Sequence, residues 1–494
     1  MQLLSEAVDR SRAIGVVAEH AMVATGHPLA ARAAAQLLKE GGSAVDAAIA
    51  ADAVMGVVEP MATSIGGDLL AMVVEEDGSA VSYNGTGRAP AALDPSKLNI
   101  FPGARIPERH PLSVTVPGVV EGWHDLHARY GKLSFGRLLA PAIDAARSGF
   151  AVAPVCAREW ALFDRVLHAD PQCAFLYRAG NPPRAGEVFS NEALAGVLES
   201  IAVEGAQAFY HGPPARAAAQ ASQASGGVMC VDDFAAHRGN FDTPLSAAFR
   251  GLTVFECPPN THGIAVLDAL AELESQDLAR EDPRTMVAAV RAMANGLARA
   301  RRVVADPAGN TVCTVAVDRR GLAITLMSSI FKRFGSGIAV PGCGFVLQNR
   351  GFGFAPPGHV NGAAPRKRPY HTVVPAAALC NGRFHAGFGV VGGAMQPQGH
   401  VQLLLRLAAW KEPLQLAING PRWRLESEAA LAIETGMPAE FTRALRDAGF
   451  VEPSSSGELG GRSDFGGAQV VMRNVEGWLA GGSDRRKDGM ALGL

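Results

Sequence analysis

The sequence predicts an α+β protein in which helices lead and a strand-rich part follows after residue 310, with helix interspersed. Three observations carry this. Before residue 310 the longest patterned segments are runs of strong helix formers closed by Gly or Pro. Beyond it, apolar and β-branched runs are joined by short turn signals. No repeat of fixed period is visible, which sets solenoid architectures aside.

HPLAARAAAQLLKEGG (27–42) is the first helix: Pro28 suits a first turn, Ala and Leu propagate it, and the Gly pair ends it. Ser43 starts the next, SAVDAAIAADAVMGVVEP, where Ser43 and Asp46 have capping-box spacing. That helix is apolar nearly all round, which indicates burial, and it stops at Pro60. In residues 62–87 a Gly-rich turn precedes a hairpin, LLAMVVEE and SAVSY around Asp77-Gly78. Helices are expected at 118–133, around 138–150, over most of 185–240 and in 263–302, with LTVFECPP (252–259) as a strand. After 310, TVCTVAVD and LAITLMSS are strands joined by Arg319-Arg320-Gly321, and GCGFVLQN (342–349) is a further candidate. TVVPAAALC and RFHAGFGVV flank the turn Asn381-Gly382, and HVQLLLRLAAWK (400–411) is a helix. EPSSSGELGGRSDFGG (452–467) is expected to be a surface loop.

A chain of 494 residues with 48% hydrophobic content can bury a large core, as two or three domains or one interleaved unit. Charge is balanced, 45 Lys+Arg against 47 Asp+Glu. The basic clusters at 298–302, 365–369 and 484–488 are short and interrupted, which argues against a nucleic-acid partner and for solvated loops or a local anion contact. Seven widely spaced cysteines without a CxxC pair exclude zinc-ribbon and disulfide-framework readings and fit buried free thiols. The first residues carry charges every few positions, and no apolar run is long enough for a signal peptide or membrane helix, so a cytoplasmic protein is expected.

No HExxH, P-loop, GxSxG elbow or dinucleotide GxGxxG stands in its required context, and the thirteen His form no metal-ligand spacing. His124 and His127, three apart on a helix, lack a carboxylate-rich partner set. What remains is Thr311, which opens a strand in GNTVCTVAVD (309–318), and the Gly-rich motifs. By itself a Thr there is explained by β-propensity.

The chain resembles the γ-glutamyltransferase (glutathione hydrolase) family of N-terminal-nucleophile hydrolases over nearly its whole length. The resemblance rests on the two N-terminal helices with GGDLLAMVV, on VPGVVEGWHDLHARYGKL with LLAPAIDAARSGF, and on FYHG, GGVMCVDDF and PPNTHG. After Thr311 come FGSGIAVPGCGFVLQN, KRPYHTVVP, GGAMQPQGH and FGGAQV…GGSDRRKDG, in family order. It implies a four-layer αββα sandwich and a proenzyme that cuts itself between Asn310 and Thr311. The products would be a large fragment, 1–310, and a small one, 311–494, associated as one interleaved catalytic unit.

The resemblance also implies roles. Thr311, freed as a chain terminus, would be both nucleophile and, through its α-amine, base. Gly392 and Gly393 would supply oxyanion-binding N–H groups, although such a pair is otherwise a simple turn. Ser329 falls where the family keeps a hydroxyl residue bonded to the nucleophile. The family's substrate-gripping Arg matches Thr86, with Arg88 two residues on. Its Asn matches Phe331, its amine-gripping Gln and Asp match Arg350 and Gly353, and its Ser-Ser pair matches His371-Thr372. Carboxylate partners for an ammonium are thus absent from the matching positions, and a cation stands at Arg350. This favours a small carboxylate-bearing amide without an α-amine, and the variant motifs resemble the family's amidohydrolase branch, which includes enzymes acting on oxamate-like amides. Arg350 equally suits a structural ion pair, and His371 the pocket wall. Glutathione hydrolysis or γ-glutamyl transfer, and a catalytically dead binding relative, are the competing readings. No metal or organic cofactor is implied. The expected partners are a small-molecule amide and the chain's own two fragments, with a homodimer left open.

Overall fold

The computed structural model describes residues 15–304, 310–453 and 462–494. Asp46 and Ser43 exchange the two hydrogen bonds of the expected capping box, at 3.0 and 2.9 Å, and the helix Ala44–Val58 that follows is buried along its entire length. Both of its carboxylates are hydrogen-bonded within the fold. Asp46 Oδ2 also accepts from the backbone N–H groups of Lys132 and Leu133, and Asp52 accepts from Ser328 Oγ and Trp123 Nε1. A buried helix of this kind tolerates such groups only when they are hydrogen-bonded.

Two seven-stranded antiparallel sheets form the centre. In sheet I the strands run, edge to edge, Met490–Gly493, Met22–Thr25, Asn310–Val317, Ala323–Phe331, Asp68–Val74, Ala80–Asn84 and Asn240–Asp242. In sheet II they run Val16–Ala18, Leu479–Ser483, Gly467–Arg473, Arg383–Val391, Ala376–Cys380, Leu252–Glu256 and Leu245–Phe249. The central strands are apolar on both faces, so each sheet must be covered twice. Alternate residues divide accordingly. Met22, Leu70, Met72, Val315 and Met327 of sheet I meet Ala377, Leu379 and Val471 of sheet II between the sheets. Val23, Ala71, Val73 and Leu326 face outward onto the helices Pro28–Lys39 and Ala44–Val58. Ala376, Ala378, Phe388 and Val470 face the helices Gly263–Glu274 and Pro283–Val303. The result is the four-layer αββα sandwich.

Local departures from the sequence reading have local causes. The expected helix at 400–411 begins earlier, at Met395, directly behind Gly392-Gly393, and passes into a π-turn over Leu405–Ala409. GCGFVLQN contributes only the two-residue strand Phe345–Val346. The stretch at 484–488 is neither a solvated loop nor an anion contact. Arg486 is buried between Glu434 and Asp484, Arg422 pairs with Asp484 at 2.7 Å, and Lys487 pairs with Glu159 at 3.0 Å. Alternating charge lets these side chains neutralise one another where composition alone predicted exposure. All seven cysteines are free thiols, five of them buried. Half of the expected surface loop, residues 454–461, and residues 305–309 lie outside the described residues. Among the described residues no helix is long and apolar enough to cross a membrane.

Candidate active site

Thr311 stands at the head of a central strand of sheet I, where the ladder is irregular. Asn310 pairs with Phe331 and Val312 with Ser328, so Thr311 alone opposes two residues, Ser329 and Ile330, where the neighbouring strand bulges. A bulge re-aims a side chain relative to the regular pleat, and bulges recur beside active sites. Thr311 is buried, and its Oγ1 accepts a hydrogen bond from Gln396 Nε2 at 2.6 Å. Gln396 is positioned in turn by Val374, whose backbone N–H donates to Oε1 at 3.1 Å.

Gln396 belongs to the first turn of the helix Met395–Leu404, which sheet II feeds through Gly392 and Gly393. Both glycines have left-handed backbones, φ +113° and +59°. A Cβ on Gly392 would lie 3.0 Å from the Cα of Gly466. The pair is therefore required for the sharp strand-to-helix passage. That passage places the start of a buried helix, with its N–H groups, beside the residue that touches Thr311.

Ser329, two residues before the end of the neighbouring strand, pairs in register with Asp68. Gly67 makes this approach feasible, because a Cβ there would lie 2.4 Å from the Ser329 carbonyl oxygen. Ser329 Oγ accepts from the Phe331 backbone N–H at 2.8 Å and from Arg350 Nη2 at 3.1 Å. Arg350 Nη1 donates to Thr372 Oγ1 at 3.1 Å, and its guanidinium lies 4.1 Å from the ring centre of Phe331. Phe331 holds φ +75°, unusual for an aromatic residue. Thus Ser329, Phe331, Arg350, His371 and Thr372, spread over more than forty positions of sequence, form one buried cluster.

Asp68 is the member that motif matching did not supply. Its Oδ1 accepts from Gly87 N–H at 2.9 Å and from Gln348 Nε2 at 2.7 Å. Its Oδ2 faces Arg350 Nε at 3.8 Å and His371 Nε2 at 3.4 Å. The ion-pair alternative for Arg350 thus has a partner. The matching positions lack one, but the sheet brings one in from 282 positions earlier in the chain. Burial pushes the Asp68 carboxyl above the usual range, against the pull of Arg350, Gln348 and Gly87. Burial likewise lowers Arg350 to about 10, which leaves it charged at neutral pH. His371 Nδ1 accepts from Val373 N–H at 3.1 Å, so the proton of the neutral ring sits on Nε2, towards Asp68. Burial first, and then Arg350 and Arg368, hold His371 well below the usual imidazole range.

Arg88 is placed apart from this cluster. Its Nη1 donates to the Arg366 carbonyl at 3.3 Å, and the side chain is exposed at the rim of a separate cavity. Thr86 and Gly353 make backbone contacts, accepting at their carbonyls from Arg368 Nε at 3.0 Å and Asn361 Nδ2 at 3.2 Å. Sequence reasoning missed Asp68 and Gln396. The available signal was a polar residue close behind a Gly pair, Asp68 directly after Gly66-Gly67 in the apolar run GGDLLAMVV and Gln396 three residues after Gly393 in GGAMQPQGH, since such groups are buried only with partners.

Comparison with known proteins agrees with this architecture. A family profile described as Gamma-glutamyltranspeptidase matches residues 30–313 and 302–494. The chain is 31% identical to the glutathione hydrolase-like YwrD proenzyme of Bacillus subtilis, over 97% of this chain and 99% of the relative. It is 32% identical to the oxamate amidohydrolase proenzyme of Klebsiella pneumoniae, with the same coverage. The crystal structure of cephalosporin acylase from Bacillus halodurans superposes with a TM-score of 0.89 and 32% identity, covering 97% of both chains.

Proposed function

The chain belongs to the gamma-glutamyltranspeptidase family and is a self-processing amide hydrolase. From that premise we propose that Thr311 is its nucleophile, that maturation cuts the Asn310–Thr311 bond, and that the matured enzyme cleaves a small carboxylate-bearing amide rather than glutathione. One observation carries this reading: Thr311 is buried opposite a bulge of the neighbouring strand and hydrogen-bonded to the helix that follows Gly392-Gly393.

In maturation the Thr311 hydroxyl adds to the Asn310 carbonyl carbon. The C–N bond breaks, its nitrogen takes the proton, and an ester to Thr311 Oγ1 remains. Water hydrolyses that ester, giving an Asn310 carboxylate and a free Thr311 amine. An amide nitrogen cannot accept a proton, but an α-amine with a pKa near 8 can, so the cut supplies the base. In turnover the amine takes the hydroxyl proton as Oγ1 attacks the substrate amide. N–H groups at Gly392 and Gly393 stabilise the oxyanion. The leaving amine departs with the proton, and water releases the acid from the acyl-enzyme. Ser329 and Gln396 orient Thr311 Oγ1. The fragments 1–310 and 311–494 would be held together because each sheet is built from strands of both.

The substrate argument rests on Arg350. Its Nε side faces Asp68, while its Nη edge faces the hydroxyls of Ser329 and Thr372. A guanidinium carries five N–H donors, so this edge retains capacity for a carboxylate oxygen. An α-ammonium would instead meet a fixed cation, because the one carboxylate of the cluster, Asp68, already has Arg350 and His371 beside its Oδ2. The Klebsiella relative's name as an oxamate amidohydrolase supports a compact acid amide.

The test is the intact mass of purified wild-type protein beside Thr311→Ala, followed by assay of oxamate and glutathione. Two fragments meeting at Asn310/Thr311, absent in the variant, are expected, with oxamate-type amides preferred. Glutathione turnover matching the best small amide would overturn the specificity. An uncut chain with activity unaffected by Thr311→Ala would overturn the nucleophile.

A further inference from the structure

We propose that a second cavity, walled by Val116 and His237 and rimmed by Arg88 and Arg366, is a binding site for a small oxyanion. Its volume is about 370 Å³, the size of a small organic acid rather than a polymer segment.

Its floor holds a buried polar group without a partner. His237 follows the short helix Val231–Ala235 and is 2% exposed. Its ring stacks on Tyr210 with centroids 5.4 Å apart. Neither ring nitrogen finds a hydrogen-bond partner among the described residues, yet the residue lines the cavity. Buried polar groups are normally paired, and one that faces a cavity is the group a ligand satisfies. Burial lowers His237 to about 4, so at neutral pH it offers one N–H donor and one acceptor.

The rim is cationic and built. Ala89 N–H donates to the Lys367 carbonyl at 2.8 Å, and Arg366 N–H to the Ala89 carbonyl at 3.1 Å. These bonds, with Arg88 Nη1 on the Arg366 carbonyl, set the two arginines side by side. Neither guanidinium has a carboxylate partner among the described residues. Asp233, the one lining carboxylate, is turned into the wall: Oδ1 accepts from Ala91 N–H at 2.8 Å and Oδ2 from Cys230 N–H at 2.9 Å. Arg238 and Arg368 add to the positive field around His237, and Asp68 opposes it. Two guanidinium groups with a neutral N–H donor beneath them match the oxygens of a carboxylate or phosphate.

This site is separate from the Thr311 cluster. Gly87 N–H and the Val116 carbonyl, which bind Asp68 and Gln348, form the partition between them. Its occupancy does not depend on Thr311 being the nucleophile, so binding is the readout.

Full-length protein with labelled histidine is titrated with malonate and with inorganic phosphate at neutral pH and low salt, following the His237 ring resonances. Isothermal titration calorimetry measures the same affinities if His237→Asn, needed for assignment, does not fold. The expected result is a saturable His237 shift and about tenfold weaker binding in both Arg88→Gln and Arg366→Gln, the loss of one charge-assisted hydrogen bond. These arginines are exposed, so thermal melts should match wild type. Saturation by malonate alone assigns a carboxylate ligand, and by phosphate alone a phosphate. No binding of either probe, or affinities unchanged in both arginine variants, overturns the proposal.

Discussion

Gln396 donates from Nε2 to Thr311 Oγ1 at 2.6 Å, and its other amide atom is held by the Val374 N–H. The second bond fixes which end of the amide meets Thr311, so a donor is always presented to that oxygen. A donor there lowers the cost of negative charge on Oγ1 as it attacks. We predict that Gln396→Leu slows both the maturation cut and turnover by about tenfold to a hundredfold, the range for one lost hydrogen bond in a buried site. Fragment appearance by intact mass gives the first rate, and kcat on the best amide the second. Unchanged rates would remove Gln396 from the mechanism.

Asp68 is the counter-charge of Arg350 in a fully buried setting. Removing one partner of such a pair leaves an uncompensated ion, at a cost of about 3–5 kcal/mol. Asp68→Asn should lower stability by that order in chemical denaturation. The double variant Asp68→Asn with Arg350→Gln should recover part of it. Additive losses in the cycle would show that the two side chains do not interact.

Gly392→Ala places a Cβ 3.0 Å from Gly466 in a left-handed backbone. The direct cost is about 1–2 kcal/mol. Because the shift displaces the first turn of the helix that carries Gln396, activity is predicted to fall further than the change in Tm implies. A proportionate decline of both would assign Gly392 a purely structural role.

Glu59, buried near Lys487, Glu159 and Arg333, has its carboxyl pushed by burial up to about 7 from an ordinary 4.5. The folded state therefore keeps a proton that the unfolded state has released between those values. Its contribution to stability is fully present below pH 4.5 and is lost as pH rises through about 7. Glu59→Gln should flatten that window, and gain a few kcal/mol over wild type above it. Urea denaturation across the range measures the difference. Parallel wild-type and variant curves would mean that Glu59 does not titrate there.

If the chain is cut at Asn310–Thr311, both sheets still pair strands across the cut: Met22–Thr25 with Asn310–Val317, Asp68–Val74 with Ala323–Phe331, and Leu252–Glu256 with Ala376–Cys380. The two fragments should co-elute on size exclusion without denaturant and separate only in it. Separation under native conditions would contradict the interleaved arrangement.

Local chemistry was legible in the sequence. Ser43 and Asp46 announced their capping box, Asp77-Gly78 its hairpin, and the glycines 392 and 393 a backbone that no other residue adopts easily. The ordered motifs, from GGDLLAMVV to GGSDRRKDG, were enough to identify the family and so the layered fold. Each of these signals lies within a short stretch of chain, where backbone propensity and side-chain capping act. The wiring of the site depended on long-range pairing instead. Only the register of Ser329 on Asp68 puts that carboxylate beside Arg350 and His371, and only the packing of sheet II on sheet I brings Gln396 to Thr311. The same holds for Arg486 and Lys487, whose charges suggest a surface until the fold supplies Glu434, Asp484 and Glu159. A sequence specifies which residues can be charged or hydrogen-bonded. Which ones are buried together, and therefore interact strongly, is set by tertiary structure, because electrostatic and hydrogen-bond energies depend on separation and on exclusion of water.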